Sequence, residues 1–161
     1  MCYLVKLGQL YKACDLATEL KIEATTELRL NGDTIMHVCA EYGQVKLFEY
    51  FCKELGASIE VKNKLEETPF TVAAREGRIL ILKMFYDKFP NQFNPDSRSV
   101  DGWTAFSYAC INGFLNTIEF LATKRVNIHT SDRIKRTALH WAARFDNEKV
   151  VDVLLSHNMS H

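Results

Sequence analysis

The sequence is poor in residues that break regular structure. Three prolines and seven glycines in 161 residues exclude a collagen-like or low-complexity chain. An excess of charge of one sign is missing too. Twenty Lys and Arg are matched by twenty Asp and Glu, which removes the global electrostatic argument for nucleic acid as a partner. No run approaches the roughly 18 apolar residues of a membrane span. The opening MCYLVKLGQLYKAC has neither the apolar core nor the small-residue cleavage site of a signal peptide. The five cysteines are odd in number, none pairs with another at two-residue separation, and none neighbours a histidine at ligand spacing. A disulfide framework or a zinc site needs the opposite. Free thiols suit a reducing compartment, so the expected location is the cytoplasm or nucleus. What is present, 47% hydrophobic and 25% charged residues, describes a globular chain long enough to bury a substantial core.

Self-similarity organises the rest. TIMHVCAEYG from Thr34, TPFTVAAREG from Thr68, TAFSYACING from Thr104 and TALHWAARFD from Thr137 start 34, 36 and 33 residues apart. Each is followed by an apolar run at helical spacing: QVKLFEYFCKEL, RILILKMFYDKF, FLNTIEFLATK and NEKVVDVLLSH. A period near 33 residues with this content predicts helix–turn–helix units joined by extended connections. Thr is suited to cap the first helix, and Pro69 stands where a missing N–H costs little. The paired small residues (Cys39-Ala40, Ala73-Ala74, Ala109-Cys110, Ala142-Ala143) let neighbouring helices approach. Gly43, Gly77 and Gly113 suit a left-handed helix end, and Asp146 replaces glycine in the fourth unit. No single unit can bury its apolar surface alone, so the units are expected to stack.

These segments resemble the ankyrin repeat, with Thr137-Ala138-Leu139-His140 and Ala142-Ala143 among the closest matches to its pattern and Gly56-Ala57 closing the first unit. The resemblance implies an all-α solenoid of stacked helix–turn–helix units with short hairpin fingers, forming one domain over 1–161. Its parts are a partial or capping repeat at 1–27 and repeats at 28–61, 62–97, 98–131 and 132–161. Thr71 and Ser107 stand where the family prefers His. The link FPNQFNPDSRSV is about three residues longer than the family's connection, so a bulged finger or altered curvature is expected there. The half repeat at one end and the plain SHNMSH at the other suggest part of a longer array or ends that dock elsewhere.

Little in the chain points to catalysis. His37 and His140 fall at the family's turn-holding position, and no Ser or Cys is tied by motif to a base. His157 and His161 are four residues apart but lack a third ligand. Phosphate-binding glycine loops are absent. Neither cofactor, metal nor catalytic residue is expected. The resemblance instead implies a protein-interaction or scaffold module, binding through fingers and first helices that line a concave face. Carried over position by position, the candidate partner-binding residues are Tyr42, Leu65, Arg75, Trp103, Ile111, Asn112, Arg133, Ile134, Arg136, Arg144 and Phe145. Trp, Tyr and Arg are enriched among interface hot spots. Trp103 divides evenly between binding and packing, whereas Trp141 is expected to pack between first helices. The run Lys124, Arg125, Arg133, Lys135, Arg136 and Arg144, opposed only by Asp132, suits an acidic segment of a partner facing the last two repeats, a phosphorylated peptide or anionic lipid headgroups, the plain alternative being a solvated finger of ordinary charge. A cytosolic array within a larger channel or palmitoyltransferase, or a stand-alone inhibitor, are the alternative settings.

Overall fold

The computed structural model describes Lys12, residues 26–124 and residues 126–158. Nearly all of the N-terminal half repeat, Arg125 and, of the His157–His161 pair, His161 lie outside the described residues. Each repeat opens on a short helix because its Thr completes the first turn. The Thr68 hydroxyl accepts the Thr71 N–H at 3.3 Å, and the Thr104 hydroxyl accepts the Ser107 N–H at 3.3 Å, as a capping oxygen should. In the first and fourth repeats the third helical residue also reaches back, completing a capping box. His37 Nδ1 accepts the Thr34 N–H at 3.2 Å, and His140 Nδ1 accepts the Thr137 N–H at 3.3 Å, the reciprocal half of a capping box.

The resulting helix pairs are α1 (Ile35–Glu41) and α2 (Val45–Glu54), α3 (Pro69–Arg75) and α4 (Ile79–Lys88), α5 (Ala105–Ile111) and α6 (Leu115–Thr123), and α7 (Ala138–Arg144) and α8 (Glu148–Asn158). The fold is all-α: the described residues contain no strand, only an isolated bridge between Ser131 and Thr137. Helices α1, α3, α5 and α7 pack successively as one layer, and α2, α4, α6 and α8 form the other. Close approach within the first layer depends on Cys39, Ala40, Ala73, Ala74, Ala109 and Cys110, all fully buried. Between the layers lie Phe48, Phe51, Leu82, Phe85, Ile118 and Leu121. Removing each such side chain from water contributes about 1.5–3 kcal/mol.

The first helices stop at a left-handed residue. At Gly77 (φ +65°) a side chain would also collide, since an added Cβ would lie 2.8 Å from the Phe114 ring of the next repeat. Asp146 adopts the same conformation with φ 55°. Ahead of each first helix the chain folds into a finger, and successive fingers are hydrogen-bonded in one register. Lys64 N–H donates to the Asn31 carbonyl at 2.9 Å, Val100 N–H to Leu65 at 2.9 Å, and Arg133 N–H to Asp101 at 3.1 Å. The long link between the second and third repeats leaves that ladder intact, so the expected bulged finger does not form. Its extra length is taken up after α4, where Phe93 folds inward with ring centroids 4.8 Å from Phe70, 5.1 Å from Phe85 and 5.1 Å from Tyr86.

Candidate partner-binding face

The surface made by the fingers and first helices is built from corresponding positions in each repeat. The residue before the capping Thr is Asp33, Glu67, Trp103 or Arg136. The last helical residue and its successor are Glu41-Tyr42, Arg75-Glu76, Ile111-Asn112 and Arg144-Phe145. In the first two repeats these groups are mostly bonded to each other. Arg29 pairs with Glu41 and lies 3.4 Å from Asp33. Asn63 Nδ2 bridges Asp33 Oδ1 at 2.8 Å and Glu67 Oε2 at 3.1 Å. Arg75 Nη1 grips the fully buried Glu67 carboxylate at 2.7 and 2.6 Å, and its Nε reaches Glu76 at 3.1 Å. Arg75, a candidate for partner contact, therefore stands half-buried within an internal network. The Tyr108 hydroxyl adds a hydrogen bond to Glu67, and burial, then the Glu67 charge, push its pKa up.

In the last two repeats the same face is aromatic and basic. Trp103 meets Tyr108 edge-on at 5.1 Å and Trp141 at 5.4 Å, and Trp141 stacks on Phe145 at 5.8 Å. Arg136 lies over Trp141, its guanidinium carbon 3.8 Å from the ring centroid, a separation at which cation–π attraction operates. Asp132 fastens this platform from below. It accepts Trp141 Nε1 at 3.2 Å and Arg136 Nε at 2.9 Å, and its other oxygen takes the Ile134 and Arg136 N–H groups at 3.0 and 2.9 Å. Burial alone would raise the Asp132 carboxyl, but the N–H donors from Arg136 and Ile134 and the guanidinium charge outweigh it and hold the pKa at about 2. Trp141 is buried between neighbouring first helices, while Trp103 is half-buried and its indole N–H has no acceptor among the described residues.

The remaining candidates divide by exposure. Ile134 is 65% exposed, Phe145 55% and Leu65 40%. Tyr42 and Ile111 are half-buried. Asn112 is exposed, but its Nδ2 donates to the Arg75 carbonyl at 2.9 Å, tying adjacent repeats. Arg133, Lys135 and Arg144 are exposed and form no ion pair among the described residues. The basic run is not one patch: Lys124 lies at the end of α6, with its ammonium 5.0 Å from the Tyr86 ring centroid and 5.4 Å from that of Phe120. Tyr108 escaped the list of candidates although a signal was present. Four residues after the capping Thr the repeats read Val38, Val72, Tyr108 and Trp141, and only the last two are aromatic.

The described residues hold no group of His, Cys, Asp and Glu arranged for a metal ion, and no helix long and apolar enough to cross a membrane. Burial pushes the Cys52 thiol up to about 11 and the Cys110 thiol up to about 12, so both stay protonated at neutral pH and are poor nucleophiles.

Such a face, polar groups and aromatics displayed on a rigid stack, belongs to a recognition solenoid. Residues 70–161 match a family model of three ankyrin repeats and residues 31–64 match a single ankyrin repeat. The chain belongs to the ankyrin-repeat family, whose repeats are protein-interaction modules without catalytic function. It is 27% identical over 89 residues to palmitoyltransferase AKR1 of Lachancea kluyveri, a match covering 55% of this chain and 12% of that protein. It is 24% identical over 127 residues to neurogenic locus notch homolog protein 1 of Xenopus laevis, covering 79% of this chain and 5% of the relative. The chain thus spans a small part of either relative's length.

Proposed function

We propose that this chain is a non-enzymatic interaction module that holds an acidic segment of a protein partner against the fingers and first helices of its third and fourth repeats. The observation carrying the reading is the pairing difference across the face. Arg133, Lys135 and Arg144 stand beside the Trp103–Trp141–Phe145 platform without carboxylates of their own, whereas the cations of the first two repeats on this face are bonded internally. Cations next to rigid aromatic rings are the composition of an interface hot spot. Cys39, Cys52 and Cys110 form no disulfide, which supports a reducing, cytoplasmic setting.

The test is capture of partners on the immobilised chain, with Arg133→Glu/Arg144→Glu and Phe145→Ala compared at low and high salt. The charge variant is expected to weaken the partner about tenfold and to flatten the salt dependence. Phe145→Ala should weaken it by a similar factor at every salt concentration. Full binding by both variants would overturn the assignment. A second reading, an ankyrin array inside a longer membrane enzyme, is favoured by the match to 12% of a palmitoyltransferase. Membrane segments encoded in the same native reading frame would establish it.

A further inference from the structure

The edge of the stack where each first helix turns into its second helix lies at the opposite end of the first helices from the fingers. The second residue of each second helix stands there: Lys46, Leu80, Asn116 and Lys149. Three repeats use a polar side chain, whereas Leu80 is 64% exposed. A position served by Lys and Asn has no need of leucine for stacking. Leu80 also has apolar company, and contiguous exposed apolar area marks an interaction site. It borders a notch of about 270 Å³ between the first and second turns, shared with Tyr42, Gly43, Gly77, Arg78 and Ile79. A second notch of about 340 Å³ lies between the second and third turns, where Gly77 and Ile79 face Gly113, Phe114 and Leu115. Tyr42, Ile79, Phe114 and Leu115 are half-buried, so each leaves part of its side chain to this edge.

Backbone and charge narrow what fits. The N–H groups of Gly77, Arg78 and Ile79 donate to carbonyls of their own repeat, and those of Gly113, Phe114 and Leu115 do likewise. The edge therefore offers no ladder to an extended peptide, which draws its affinity from main-chain bonds. A helix bonds its backbone internally. Stacked helices lie about 8–10 Å apart, and a helix advances about 10.5 Å in seven residues, so one face of a helix reaches both notches. Arg78 crosses Gly43 and donates Nε to the Glu41 carbonyl at 2.7 Å, which fixes its guanidinium at the first notch. Arg78, Lys46 and Lys83 are exposed without an ion pair among the described residues. The carboxylates beside the first two turns are already engaged, Glu41 by Arg29 and Glu76 by Arg75. One turn along the second helices, Glu49 faces Lys88 at 4.0 Å, while Glu119 on α6 is exposed. The positive surface thus covers the first notch and ends at the second.

We propose that this edge, from Tyr42 to Leu115, docks an amphipathic helix of a partner protein, with apolar side chains seven residues apart in the two notches and acidic residues at the end that meets Lys46 and Arg78. Leu80 packs against the helix between its two anchors. The site is separate from the Trp103–Phe145 platform and does not depend on what binds there.

The test selects binders of the full chain from a displayed library of random peptides about 18 residues long, enough to hold a helix, after removal of peptides that the Leu80→Asn chain retains. Asn is the residue type of the third repeat at this position, so this variant is expected to keep the native urea midpoint. Selected peptides are expected to carry apolar residues at helical spacing over seven residues, with Asp and Glu gathered at one end, and to gain helical circular dichroism on binding. Against a synthesised selected peptide, Leu80→Asn should weaken binding about tenfold. Lys46→Glu should weaken it about threefold and flatten its salt dependence. Phe145→Ala should leave it unchanged, which separates this site from the finger face. The proposal is overturned if no peptide survives the subtraction, or if the survivors are basic or extended and proline-rich. A lowered urea midpoint in Leu80→Asn would make the leucine a stacking residue and refute it equally. So would a dimer in sedimentation, or adsorption to phosphatidylserine vesicles, that Leu80→Asn abolishes, since the edge would then belong to a second copy or to lipid.

Discussion

The two halves of the finger face use the same backbone for opposite ends. In the first two repeats Arg29, Asp33, Glu41, Asn63, Glu67, Arg75 and Glu76 bond to one another, so the charge is spent on holding adjacent repeats in register. In the last two, aromatic rings take over the stacking, and Arg133, Lys135 and Arg144 are left exposed. A charge satisfied inside the chain has little to offer a partner, because any new contact must first replace an existing one. Where rings do the packing, the cations keep their capacity for a ligand.

That contrast can be broken at several strengths. The largest effect is expected for Glu67→Ala. It leaves Arg75 without its principal carboxylate and removes one of the two acceptors of Asn63 and an acceptor of Tyr108, costing on the order of 3 kcal/mol in urea unfolding. Asp132→Asn is expected to cost less, about 1–2 kcal/mol, since an oxygen that accepts the Ile134 and Arg136 N–H groups survives but the charge does not. The Asp132 carboxyl is held at about 2, below its ordinary value near 3.9. Its contribution is therefore complete above that ordinary value and is lost as pH falls toward 2. An acid titration of stability should show this loss in the native chain and a shallower one in Asp132→Asn. Smallest is Leu65→Ser: at 40% exposure on a finger tip it should change stability by no more than about 0.5 kcal/mol. A loss several times larger would mean that the fingers pack as core.

The helical skeleton was legible because it rests on spacing. Thr at a cap, small residues two by two, and glycine after the first helix recur in phase, and each has a local physical cause. Phe93 was not legible in the same way. A ring that enters the core from a non-repeating link has no periodic signature, and only the three-dimensional position of Phe70, Phe85 and Tyr86 reveals its role. On the candidate face, the exposed Ile134 and Phe145 follow from their positions in the repeat. The capture of Arg75 by Glu67 does not, because the two are eight residues apart across a helix start. Lys124 shows the complementary limit: adjacency to a basic run in sequence says little once a helix end directs the side chain onto Tyr86 and Phe120.

The Phe93 link bears on how such a chain tolerates change. The additional residues are absorbed beside α4, and the next finger still donates Val100 N–H to the Leu65 carbonyl at 2.9 Å. Variation in connector length is thus insulated from the finger face: a segment can lengthen on one side of the stack while the pitch of the fingers on the other is preserved. The insertion also becomes a rivet, since its ring joins Phe70 and Tyr86. Loop length and finger geometry can then vary as separate quantities, each free to change without resetting the other.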